Sequence, residues 1–90
     1  MKFEWDETKS RSNEIKHGID FESAKELWDD NNRIEILTHY PIENRSVLIG
    51  ILSGKIWAAV FTRRGNAIRI ISVRRARKRE VELYDQAENS

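Results

Sequence analysis

Eight cations crowd the seventeen positions from 63 to 79: Arg63, Arg64, Arg69, Arg74, Arg75, Arg77, Lys78 and Arg79, with no acid among them. Seven of the eight are arginines, whose planar guanidinium offers paired donors that match the oxygens of a phosphate. A strip of this density attracts polyanions because binding releases the counterions condensed on them, which makes nucleic acid the leading partner class. The competing reading is a solvated face balanced by Glu80, Glu82, Asp85 and Glu88, which follow directly. If the strip is a strand, alternation sends Arg69, Val73 and Arg75 to one side and Ile70, Ser72 and Arg74 to the other. One guanidinium set then reaches a groove while the other is solvated or paired. Arg63 and Arg64 precede a Gly65-Asn66 turn, where a sheet end can clamp a phosphate, and Arg77 opens the last helix.

Proton transfer needs a different residue type. Histidine exchanges a proton near neutrality without special tuning, and His17 stands in Lys16-His17-Gly18 at a helix end, where the dipole favours its charged form and Lys16 opposes it. Capping the last carbonyls is its competing role. Lys9, Asn13 and Lys16, at i, i+4 and i+7, share the helix face beside it. Cleavage of RNA without a metal requires a base for the 2′-hydroxyl, an acid for the departing 5′-oxygen and cations for the charge that builds on phosphorus. The candidate set is therefore His17, Lys16, Arg64, Arg69 and Arg74 for the chemistry, with Lys9, Arg63, Arg75 and Arg77 gripping RNA. No cofactor is called for. The absence of cysteine excludes disulfides and thiolate-bound zinc, and the only useful adjacent acids, Asp29-Asp30, fall in a helix-ending turn. His39, beside Tyr40 and Pro41, is read as structural, and Tyr84 as part of the core.

The net charge of +1 conceals this segregation: residues 1–62 carry 8 basic and 11 acidic groups, residues 63–79 carry 8 basic groups, and residues 80–90 carry 4 acidic ones. Ninety residues allow one domain, 1–90. No apolar run approaches the roughly 18 to 20 residues that span a bilayer, and the opening Met-Lys-Phe-Glu-Trp-Asp lacks a signal peptide's apolar stretch, so a cytoplasmic protein with no membrane partner is expected.

The elements that must hold these residues follow from period and punctuation. Phe3 and Trp5 alternate in a short extended start. Asp6 caps a polar helix that Gly18 stops, in which only Ile15 is clearly apolar, so contacts at its ends from Trp5 and Ile19 are expected to hold it. Asp20 caps a second helix over Phe21 to Trp28, ended by Asp29, Asp30, Asn31 and Asn32. Four strands come next: one around Ile34, Ile36 and Leu37, then Val47 to Leu52, Lys55 to Arg63 and Ala67 to Arg74. Ser53-Gly54 and Gly65-Asn66 make the last two connections tight hairpins. Ala76, Val81, Tyr84 and Ala87 mark a final helix. The expected fold is α+β: two N-terminal helices, a four-stranded antiparallel meander and a C-terminal helix.

These residues also carry a family resemblance. Phe3-Glu4-Trp5-Asp6 with Lys9, Asn13 and Lys16-His17-Gly18, followed by Phe21-Glu22 and Ala24, resembles the opening of the BrnT toxins. Thr62, Arg64, Gly65, Arg69-Ile70-Ile71-Ser72, Arg74, Ala76, Glu80 and Tyr84 resemble their ending, with Val73 in place of the usual alanine and no fixed pattern over 33–44. The resemblance implies a RelE-like fold and a ribonuclease toxin of a type II toxin-antitoxin pair that inhibits translation by degrading RNA. It further implies neutralisation by direct binding of a BrnA-like antitoxin, through which alone operator DNA is engaged. The rival functions are a non-catalytic nucleic-acid-binding module and a protein-interaction domain. Binding alone predicts steep salt dependence without product.

Overall fold

A computed structural model describes residues 1–38 and 44–88. The elements run β1 (Lys2–Glu4), α1 (Glu7–His17), α2 (Phe21–Ala24), β2 (Ile34–Thr38), β3 (Arg45–Leu52), β4 (Lys55–Arg64), β5 (Ala67–Arg75) and α3 (Lys78–Glu88). The expectation for His39 lies outside the described residues. Both hairpins form around the anticipated turns. Leu52 pairs with Lys55 across Ser53 and Gly54, at φ of 54° and 74°, the left-handed pair that matches the twist of two joined strands. Arg64 pairs with Ala67, with Gly65 at φ 60°.

The sheet departs from the expected meander by one strand. β2 to β5 are consecutive and antiparallel, but β1 adds parallel to β5, giving a mixed five-stranded sheet in the order β1-β5-β4-β3-β2. Three residues are too few for alternation to declare a strand, and their partner lies at the far end of the chain. β4 is central, with Ala58 and Ala59 both fully buried on its opposite faces.

The second helix is also shorter than expected. It is α-helical only over Phe21–Ala24 and tightens into a 3₁₀ turn over Lys25–Asp29, which stacks Ala24 and Leu27, three apart, along one line into the sheet. Close approach is possible because residue 50 is glycine: a Cβ there would lie 3.2 Å from the Leu27 carbonyl oxygen. Phe21, Leu27, Trp28, Leu48, Phe61, Ile70 and Val73 fill the space between these turns and the sheet. Trp28 meets Phe3 and Phe61 edge to face at 5.2 and 5.3 Å, a favourable geometry for aromatic pairs.

α1 is held in an unexpected way. Asp6 caps it through the Thr8 and Lys9 N–H groups and Gly18 ends it at φ 77°, as anticipated. Ile15, however, is 87% exposed, and the buried residues are the polar Ser10 and Asn13. Ser10 Oγ accepts the Phe21 N–H at 2.9 Å. Asn13 donates to the Ile19 carbonyl at 2.9 Å and bonds β5 at Val73. A helix without an apolar stripe thus docks by satisfying backbone groups that burial would otherwise strand.

The opposite face of the sheet is only partly covered. α3 packs against β3, with Tyr84 buried and its hydroxyl donating to Asp30 at 2.6 Å. Beyond α3, towards the β4–β5 turn, the face is open.

Candidate nucleic-acid interface

An irregularity in β5 decides which arginines share the open face. Phe61 pairs with Ile70, but its neighbour Val60 pairs with Ser72, so Ile71 is an extra residue, a β-bulge. Side chains before and after the bulge that strict alternation sets on opposite faces now agree. Ile70 and Val73 both enter the core, while Arg69, Ser72 and Arg74 lie opposite Thr62, Val60 and Ala58, the alternate residues of β4 that face away from α1 and α2. This corrects the expected split: Arg69 and Arg74 lie on one face, and Arg69 and Val73 do not.

Two adjoining concavities occupy that face. One, of about 420 Å³, is lined by Lys9, Asn44, Arg45, Thr62, Arg63, Arg64, Arg69 and Ile71. The other, of about 430 Å³, has an aliphatic floor of Ile36, Val47 and Val60 and a polar rim of Thr38, Arg45, Ser72, Arg74, Arg77 and Glu80. Arg45 lines both. Of the sequence candidates, Lys9, Arg64, Arg69, Arg74 and Arg77 therefore converge on one surface, drawn from α1, two strands and the start of α3. Such a surface concentrates positive potential and can hold several backbone phosphates at once.

Carboxylates fix these cations to different degrees. Glu4, from β1, lies 3.7 Å from Arg64 and 3.6 Å from Arg69, long contacts that leave the guanidinium donors available. Arg63 touches the first concavity, but its guanidinium lies on the other side of the sheet, held by Glu35 at 2.8 Å over the Phe61 ring. Arg74 forks onto Glu80 at 2.7 and 2.9 Å. The hydrogen bonds from Arg74 outweigh burial and, with the Arg77 N–H, hold the Glu80 carboxyl below its ordinary value; the same bonds raise Arg74.

Three further sequence candidates lie elsewhere. Arg75 pairs with Trp57 on the helix side and stacks over its ring at 5.5 Å. Lys16 and His17 are exposed at the end of α1; His17 is eight residues beyond Lys9, about 12 Å along the helix axis, and neither lines the two concavities. Asn13, grouped by spacing with the lysines, is buried instead. Sequence reasoning overlooked Arg45 and Glu80. Arg45 was legible as the residue two before Val47, on the same face; Glu80 was marked by its place after the arginines and in the family pattern, but was given no role. Asp30 is occupied structurally, accepting from the Ile51 and Asn32 N–H groups and from Tyr84. Among the described residues, no group of three or more acid or histidine side chains is assembled that could hold a metal ion, and no helix is long and apolar enough to cross a membrane.

Comparison with known proteins gives one match and one blank. A family model described as the ribonuclease toxin BrnT of type II toxin-antitoxin systems matches residues 5–80. A search of curated proteins finds no match.

Proposed function

Because the chain belongs to the BrnT family of ribonuclease toxins of type II toxin-antitoxin systems, we propose that it is an endoribonuclease that cleaves RNA on the open face of its sheet, without a metal, and that a BrnA-like antitoxin silences it by covering that face. RNA as target and an antitoxin protein as partner follow from membership. The reading of the site rests on one observation: the bulge at Ile71 gathers Arg69, Ser72 and Arg74 beside Arg64, Arg45 and Lys9.

In the proposed reaction the ribose 2′-oxygen attacks the neighbouring phosphorus, its proton passes to solvent, and the 5′-oxygen leaves with a proton taken up in return. Charge builds on the phosphoryl oxygens at the transition state. Arg64 and Arg69 bear on those oxygens, while Arg77 and Lys9 hold flanking phosphates. Arg74 borders the same groove from its pairing with Glu80. Glu80, held ionised by Arg74, is a weak base, so preorganised cations rather than proton transfer supply most of the acceleration. Lys16 and His17 take no part at the scissile phosphate in this reading.

The test is incubation of antitoxin-free protein with total RNA in excess EDTA. Wild type is expected to cleave. Arg64→Ala/Arg69→Ala, checked for folding, should lose on the order of 10²-fold or more in rate, whereas His17→Ala should cleave at close to the wild-type rate. Cleavage that requires added Mg²⁺ would overturn the metal-free mechanism. Tight, salt-sensitive RNA binding without product at any metal concentration would make the protein a binding module.

A further inference from the structure

We infer that Asn13 is a positioning residue for the arginine face: its buried carboxamide locks β5 into the bulged register that puts Arg69, Ser72 and Arg74 on one side. The inference rests on the reading of that face as the RNA site, and Asn13 itself touches none of the groove.

β5 needs such a lock because its outer edge is only partly paired. β1 covers that edge from Ala67 to Arg69 and stops at Glu4. Four residues further on, at Val73, where a longer strand would have supplied a partner, the Asn13 side chain takes its place. Its Oδ1 accepts the Val73 N–H at 3.0 Å and its Nδ2 donates to the Val73 carbonyl at 2.8 Å. One carboxamide thus meets both backbone groups of one residue, as an adjacent strand does. Its other amide hydrogen reaches the Ile19 carbonyl, which fixes the amide plane against the loop after α1.

The two anchors bracket the bulge: Glu4 against Arg69 on one side, Asn13 on Val73 on the other, with Ile71 between them. Without the second anchor, β5 can shed the bulge by slipping one residue against β4. A slip of one residue turns every side chain beyond it to the other face, carrying Ser72 and Arg74 away from Arg69. Burial of Val73 in the core works against the same slip, so loss of Asn13 loosens the register in an otherwise folded domain.

A double-mutant cycle separates positioning from stability. Cleavage and RNA binding are measured for Asn13→Ala, Arg74→Ala and the pair, at a temperature where all are folded by circular dichroism. Positioning predicts that Asn13→Ala lowers kcat/KM by at least about tenfold, as a misplacement near 1 Å does, and that the pair falls little below the worse single variant. It also predicts a shallower salt dependence of RNA affinity in Asn13→Ala, because fewer cations reach phosphates together. If Asn13→Ala does not fold, Asn13→Asp, which keeps the acceptor for the Val73 N–H, takes its place in the cycle. Additive losses with an unchanged salt slope would overturn the inference and leave Asn13 a stabilising residue only. A wild type that binds RNA without cutting it would sink the ribonuclease reading, while the salt slopes of the same four proteins still decide the role of Asn13.

Discussion

At the scale of single residues, the contrast among the arginines is in how each is held. Arg64, its side chain 63% exposed, and Arg69, 34% exposed, share Glu4 at long range, whereas Arg74 is locked by two short bonds to Glu80. A lysine at 74 keeps the charge but not the planar fork. Arg74→Lys is therefore expected to destabilise the domain by about 1.5 to 3 kcal/mol, the usual worth of a hydrogen bond to a charged group, read as a lower urea midpoint; an unchanged midpoint would mean that a point charge is enough. Chemistry at this scale was partly legible. Density and arginine bias singled out a strip that lines both concavities, but strict alternation misassigned its faces. The warning lay in the strip itself. Neither face of Arg69-Ile70-Ile71-Ser72-Val73-Arg74 is cleanly apolar under alternation, and a strand with one packed face whose pattern fails in that way invites a bulge.

Among the elements, caps, stops and tight turns were readable because their causes are local: Asp6, Gly18, Asp20, Ser53-Gly54 and Gly65 act on their immediate neighbours. β1 was not, since its partner is β5, and neither was the docking of α1, since Ser10 and Asn13 serve groups distant in sequence. The same holds for α3, which is fixed to the sheet by a polar contact. Tyr84 donates to Asp30, whose carboxylate also takes the Ile51 N–H of β3. Tyr84→Phe preserves the ring and removes only that donor, and is expected to cost about 1 to 3 kcal/mol because the acceptor is charged. The check is hydrogen exchange: amides of α3 should lose protection more than those of β4. Uniform loss across both would show that α3 and the sheet open as one unit.

Across the whole molecule, carboxyls that bind elements together set the response to acid. Hydrogen bonds from Ser23 lower Asp20, and those from Arg74 lower Glu80. For Asp30, burial pushes upward, but bonds from Tyr84, Ile51 and Asn32 and the charge of Arg33 together prevail, so it too lies below its ordinary value. Each therefore takes up its proton more readily in the unfolded chain. Their stabilisation is complete above the ordinary values of 4.5 for Glu80 and 3.8 for the two aspartates and is lost as pH falls through the lower folded values. Urea midpoints should be flat from pH 7 to about 5 and drop below about 4.5, and Glu80→Gln should be less stable at pH 7 with a weaker fall on acidification. A midpoint that rises on acidification would contradict this assignment.

The parallel pairing of β1 with β5 also orders events in time. Asn13 and Val73 are 60 positions apart, and Glu4 meets Arg69 only across the same span. A chain emerging from the ribosome from its first residue onward presents the residues of β1 and Asn13 early, but neither meets its partner until β5 arrives. The arginine surface is thus assembled only once β5 has been made, and if RNA is cut there, as proposed, the nascent toxin is unarmed for most of its synthesis.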